Sequence, residues 1–147
     1  MMSPGPSSMP VEMFLSHSSQ DREFVDRIVT VLRTQGVPVW YSQTNILGAQ
    51  QWHDEIGRAL TRCDWFAVLL SLNSLTSLWV KRELNFALQQ ARYENRILPL
   101  VLQPGDYSPL SWTLTSFQNV DFSADFHEGC RDLLRVWGLG YTRPPDV

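Results

Sequence analysis

The chain has 147 residues, the size of one compact domain. Hydrophobic residues make up 44% of it, charged residues 18%, and the formal net charge is -3. That is enough apolar material for a core; with no long basic run it argues against a dedicated nucleic-acid binder, and no apolar run approaches the ~20 residues that span a bilayer.

Met1 to Pro10 is rich in Pro, Ser and Gly and reads as a disordered tail. It has neither the basic n-region nor the apolar h-region of a signal peptide. Val11 to Ser16 reads as a short apolar strand. Ser18 or Ser19 can cap the helix that follows, with Asp21 and Glu23 favourable near its positive end. Phe24, Ile28, Val31 and Leu32 fall on one face of that helix, and Gly36 stands where a left-handed residue must end it. Val37 to Tyr41 is a second strand. Ser42 to Gln51 is a polar loop of a length that is uncommon without a function. Trp52 to Arg62 is a helix with Trp52, Ile56, Ala59 and Leu60 inward. Trp65 to Leu70 is a continuous apolar run, as expected of a central parallel strand buried on both faces. After a Ser/Asn loop, a helix is predicted from Ser77 to Tyr93, with Leu84, Ala87, Leu88 and Ala91 inward. Ile97 to Leu102 is a fourth strand, Pro104 to Leu110 a turn-rich loop, and Phe117 to Phe122 a short edge strand. Asp125 to Trp137 is a final helix stopped by Gly138, and residues 140–147 read as a tail or the start of a linker.

Alternating strands and helices with short connections imply an open parallel sheet covered on both faces. Ligands bind such sheets at the carboxyl ends of the strands. Here those ends carry Ser16-His17-Ser18, the 42–51 loop and Ser71 to Ser77. No GxGxxG follows the first strand and no Gly-Lys-Ser/Thr is present, which excludes the ordinary dinucleotide and P-loop fingerprints. His17, His53 and His127 make no metal-ligand spacing with one another or with cysteine, so no metal is expected. Ser16 and His17 sit at adjacent strand positions and point to opposite faces, which argues against a nucleophile–base pair. Cys63 and Cys130 lie far apart and outside any CxxC pair, as expected of reduced thiols in a cytosolic protein. The charged fraction falls below the ~25% of ordinary soluble domains. Two explanations fit: another chain covers part of the surface, or the six Trp and seven Phe build an unusually aromatic core.

Three segments in fixed order carry a family resemblance. They are Phe14-Leu15-Ser16-His17-Ser18; Val39-Trp40-Tyr41 through Ile46-Leu47-Gly48 to Trp52; and Leu69-Leu70-Ser71 followed by Ser77-Leu78-Trp79-Val80-Lys81-Arg82-Glu83-Leu84. Together they resemble the Toll/interleukin-1 receptor (TIR) domain in its bacterial form. The resemblance runs from about Glu12 to Trp137. The sequence departs from the family pattern at Ser42, where Asp is frequent, and at Leu47-Gly48, where Pro-Gly is frequent.

The resemblance implies a flavodoxin-like, three-layer α/β fold with a central parallel sheet of about five strands. The domain itself would span residues 11–139, between a tail at 1–10 and a tail or linker at 140–147. It further implies cleavage of the nicotinamide–ribose bond of NAD by Glu83. Ser16, His17, Trp79, Ser42 and Asn45 would line the substrate pocket. Asn45, Ile46, Leu47 and Gly48 would form an assembly loop, the BB loop of the family. NAD would be a substrate, with no separate cofactor. Activity would depend on self-association through TIR–TIR contacts, with a fused or separate sensor or effector domain. The setting implied is cytoplasmic anti-phage immunity, without direct nucleic-acid or membrane binding. A second reading is a non-catalytic adaptor that binds other TIR domains through the same surfaces; a carboxylate at position 83 favours the enzyme. A phosphoacceptor receiver domain fits poorly, because its acidic cluster is missing after the first strand. Read without the other motifs, Glu83 is a solvent-facing carboxylate paired with Lys81 or Arg82.

Overall fold

The computed structural model describes residues 8–42 and 49–144, with side chains for the second span from residue 53 onward. Five strands form one sheet: β1 (Met13–Ser16), β2 (Val39–Tyr41), β3 (Trp65–Leu70), β4 (Ile97–Val101) and β5 (Val120–Asp121). Their order is β2-β1-β3-β4-β5, and every pairing is parallel. Three helices connect strands, α1 (Arg22–Thr34), α2 (Ala49–Arg62) and α3 (Leu78–Leu88), and a fourth, α4 (Phe126–Arg135), follows β5. The result is the flavodoxin-like, three-layer arrangement expected from the sequence.

Period-two alternation along the strands splits the core in two. Met13, Leu15, Ala67, Leu69, Leu98 and Leu100 face one way and pack with α1 and α4. Phe14, Phe66, Val68, Leu70 and Ile97 face the other way and pack with α2 and α3. The central strand β3 is buried along its whole length, which is why its sequence is apolar without alternation. Pro99 is tolerated inside β4 for a geometric reason. Leu102 N–H donates to Leu70 of β3, whereas the Val101 carbonyl accepts from Phe122 on the β5 side. Odd positions of β4 therefore face β5, whose pairing begins only opposite Leu100. The missing donor of Pro99 falls where no partner strand has begun.

Helix ends follow local chemistry. Ser18 accepts from the Gln20 amide and caps a 3-10 turn at Ser19–Asp21, from which α1 continues. Gly36 takes φ +84°, and Val37 N–H closes back on the Leu32 carbonyl at 2.9 Å. Gly138, at φ +72°, ends the last helical segment in the same way, with Leu139 N–H on Leu134 O.

Several predicted boundaries move. β1 begins at Met13, because the backbone of Val11 and Glu12 instead donates to the Asp64 carboxylate, and Val11 is exposed. In α1 the inward positions are Val25, Ile28, Val29 and Leu32. Phe24 and Val31 are half-buried at its margin, where the Phe24 ring meets Phe122 and Phe126 edge-on. The helix predicted to Tyr93 stops at Leu88 and resumes as a 3-10 turn at Ala91–Tyr93. That break exposes Ala91 and buries Tyr93, whose hydroxyl donates to the Leu60 carbonyl at 2.6 Å. The edge strand shrinks to Val120–Asp121, since Ser111 caps a 3-10 turn at Trp112–Ser116 and Phe117 packs on the α2–α3 side.

Candidate active site

Val80, Glu83, Leu84 and Ala87 are the buried residues of α3, at the spacing of one inward helical face. Glu83 thus holds a position that the helical period reserves for an apolar side chain. It is 6% exposed. Lys81 and Arg82 are exposed and do not pair with it; its partner is Ser16, whose hydroxyl donates to Oε1 at 2.7 Å. Ser16 is the last residue of β1 and alternates with Phe14 toward the α2–α3 side of the sheet. The strand period therefore aims Ser16 at α3 and turns His17 away from it.

A cleft of about 250 Å³ opens at the carboxyl ends of the strands. His17, Ser18, Ser19, Gln20 and Arg22 line it from the β1–α1 connection, and Ser42 from the end of β2. Asn73, Thr76 and Ser77 line it from the β3–α3 connection, with Trp79 and Glu83 from α3. Ser77 also caps α3 by accepting from the Val80 amide. Behind this cleft lies a more apolar groove of about 430 Å³ between α2 and α3, lined by His53, Ile56, Leu60 and Phe86. Trp79 and Glu83 form part of the wall of both spaces.

Burial dominates the electrostatics of Glu83. It lifts the carboxyl to about 7, against the smaller lowering effect of the Ser16 hydrogen bond. His17 shifts the other way: burial lowers its pKa, its bond to the Leu15 carbonyl opposes this, and the nearby Arg22 charge lowers it further. His17 is therefore a neutral hydrogen-bonding group at neutral pH. Among the described residues no three His, Cys, Asp or Glu side chains gather as metal ligands.

The structure brings Glu83, Ser16, His17, Trp79 and Ser42 to one place, with one change of role. Ser16 is not a wall of the cleft; it sits beneath it and fixes the Glu83 carboxylate. Asn45, Ile46, Leu47 and Gly48 lie outside the described residues, as does the side chain of Trp52. Sequence reasoning missed Gln20 and Arg22 as cleft residues and placed Asn73 and Thr76 only within the Ser71 to Ser77 strand end; the signal for all four was that they are polar and follow the ends of strands. Asp21 sits at the start of α1, as expected of a helix-end charge, but its further pairing was missed. Asp21 is 6% exposed and accepts from Ser71 Oγ at 2.5 Å and Asn73 Nδ2 at 2.8 Å. It ties together the two connections that form opposite walls of the cleft.

The TIR domain family profile matches residues 13–134. The chain is 29% identical over 92 residues to the NAD(+) hydrolase TcpC of Escherichia coli, covering 60% of this chain and 30% of that protein. It is 28% identical over 96 residues to the NAD(+) hydrolase PdTIR of Paracoccus denitrificans, covering 64% and 32%. The matches thus span about a third of the length of these curated relatives. Among solved structures, the TIR domains of the activated Roq1 resistosome, which directly recognizes the pathogen effector XopQ, superpose with a TM-score of 0.67. The identity is 16%, over 84% of this chain and 97% of that one. The topology, the strand-end cleft and the family match converge: this chain belongs to the TIR domain family.

Proposed function

We propose that this domain cleaves the nicotinamide–ribose bond of NAD, with Glu83 as the catalytic carboxylate. The observation that carries this reading is a buried, serine-held carboxylate in the wall of a strand-end cleft, at a helix position that packing alone would give to an apolar residue. The two NAD(+) hydrolases it resembles support the same reading.

The chemistry needs little more than the charge. The bond joins ribose C1′ to a cationic pyridinium nitrogen. As it breaks, the electron pair returns to the ring and nicotinamide leaves neutral, so no general acid is required. Sugar hydrolysis ordinarily needs two carboxylates because its leaving group must be protonated. What remains is an oxocarbenium-like ribose, which a carboxylate stabilises by charge and by charge-assisted hydrogen bonds to the ribose hydroxyls. Attack of water at C1′ gives ADP-ribose and a proton; attack by another nucleophile of the substrate itself gives a cyclic product. The burial that raises the Glu83 pKa also removes competing water, so the carboxylate interacts more strongly with the cation than it would in the open. The pyridinium charge in turn favours its ionised form.

Self-association completes the proposal. Leu72 and Leu78 are exposed beside cleft-lining residues, and the matched Roq1 TIR domains are part of an assembled resistosome. Incubation of concentrated protein with NAD, followed by chromatography of the products, tests the reading. Nicotinamide release with ADP-ribose or a cyclic ADP-ribose is expected, absent in Glu83→Gln and with specific activity falling on dilution. Equal turnover by wild type and Glu83→Gln would overturn the assignment.

A further inference from the structure

We propose that Arg22 holds the diphosphate of the dinucleotide, and that this makes the site select a phosphorylated nicotinamide nucleotide over the bare nucleoside. The proposal rests on the NAD-cleaving reading and deepens it. Arg22 lines the same cleft as Glu83, but from the first turn of α1. With His17 kept neutral by burial, Arg22 is the one permanently charged cation among the described residues that line it. The cleft therefore pairs one acidic with one basic group. NAD has the matching charge pattern, a cationic pyridinium joined through ribose to an anionic diphosphate.

Arg22 is held in place without being used up. Its guanidinium lies over the Tyr41 ring at 5.1 Å. Nε donates to Asp26 Oδ1 at 3.2 Å, and Nη1 donates to the Ser42 carbonyl at 3.3 Å. These two bonds engage two of the five N–H donors, leaving three for an oxyanion. Asp26 is more than half exposed, so solvent screens its pairing with Arg22 and leaves the cation largely uncompensated. A planar guanidinium with three N–H donors left over can meet two phosphate oxygens at once. Ser18, Ser19 and Gln20, just before it in sequence, supply further polar lining of the same cleft.

The test compares NAD with nicotinamide riboside, which has the same scissile bond and no phosphate. Arg22→Gln should lower the ratio of kcat/KM for NAD to kcat/KM for nicotinamide riboside by roughly tenfold or more, the loss expected for a hydrogen bond to a charged group. The loss should sit in KM, and Arg22→Lys should restore part of it. The KM of wild type for NAD should rise with salt more steeply than that of Arg22→Gln. An unchanged ratio in Arg22→Gln overturns the role of Arg22 and leaves the NAD-cleaving reading intact. If wild type cleaves neither substrate, that reading fails first, and calorimetric binding of ADP-ribose decides for Arg22. Weaker binding to Arg22→Gln then upholds the anchor, and equal or absent binding to both proteins overturns it.

Discussion

Glu83→Gln should abolish NAD cleavage, and its stability relative to wild type should rise from acid to alkaline pH. The sign follows from burial. The carboxyl rises to about 7 in the folded chain, from an ordinary value of 4.5 when unfolded. Between those values the folded state binds a proton that the unfolded state has lost, so stability falls as pH rises through this window. Worked over the two values, the group's contribution at about pH 8 is roughly 2 kcal/mol less favourable than at about pH 5. Gln removes this term. Its amide oxygen still accepts from Ser16, whereas its buried NH₂ needs a partner and costs ~1–3 kcal/mol at every pH. Urea unfolding of both proteins at the two pH values isolates the ionisation, since all other groups are shared. The stability of Glu83→Gln relative to wild type should rise by about 2 kcal/mol from acid to alkaline pH. A difference that stays constant would mean that Glu83 ionises as an ordinary surface carboxylate, and the burial argument would fail. A residue that destabilises the fold when charged and is needed for turnover when charged is the pattern of a functional site.

Ser16→Ala removes the hydrogen bond that holds the carboxylate down, so the rising limb of the pH–kcat/KM profile should move to higher pH and kcat should fall; an unmoved limb would separate Ser16 from Glu83. Asp21→Ala leaves the Ser71 hydroxyl and the Asn73 amide without their shared acceptor and should cost ~2–4 kcal/mol in urea unfolding, with Asp21→Asn milder; a loss below ~0.5 kcal/mol would show that the two cleft walls are not tied there. Gly129→Ala places a Cβ 2.2 Å from the Phe122 ring, which is itself buried, so the thermal midpoint should drop with a loss of ~1–3 kcal/mol; a neutral result would show that α4 can lift off β5 without cost.

Much of the fold was written in local patterns. The all-apolar Trp65 to Leu70, the two amphipathic helices that follow the first two strands, and the terminating Gly36 and Gly138 each follow from periodicity or from a backbone need that one residue type meets. Glu83 was legible only through the family resemblance: by itself it reads as a solvent-facing carboxylate, and its place on the buried face of α3 came from the structure; Ser16 and His17 were separable by the strand period alone. The sequence could not set where elements end when a distant partner decides. Tyr93 breaks its helix to reach Leu60, and Val11 leaves β1 for Asp64, contacts across 33 and 53 residues. Nor could it reveal Asp21 as the tie to Ser71 and Asn73, some 50 residues away, or Arg22 as a wall of the same cleft as Glu83. Period and capping are properties of neighbouring residues and survive in one dimension. The pKa of Glu83, the pairing of Asp21 and the charge pattern of the cleft depend on which strand ends the parallel crossovers bring together, and only the tertiary structure decides that.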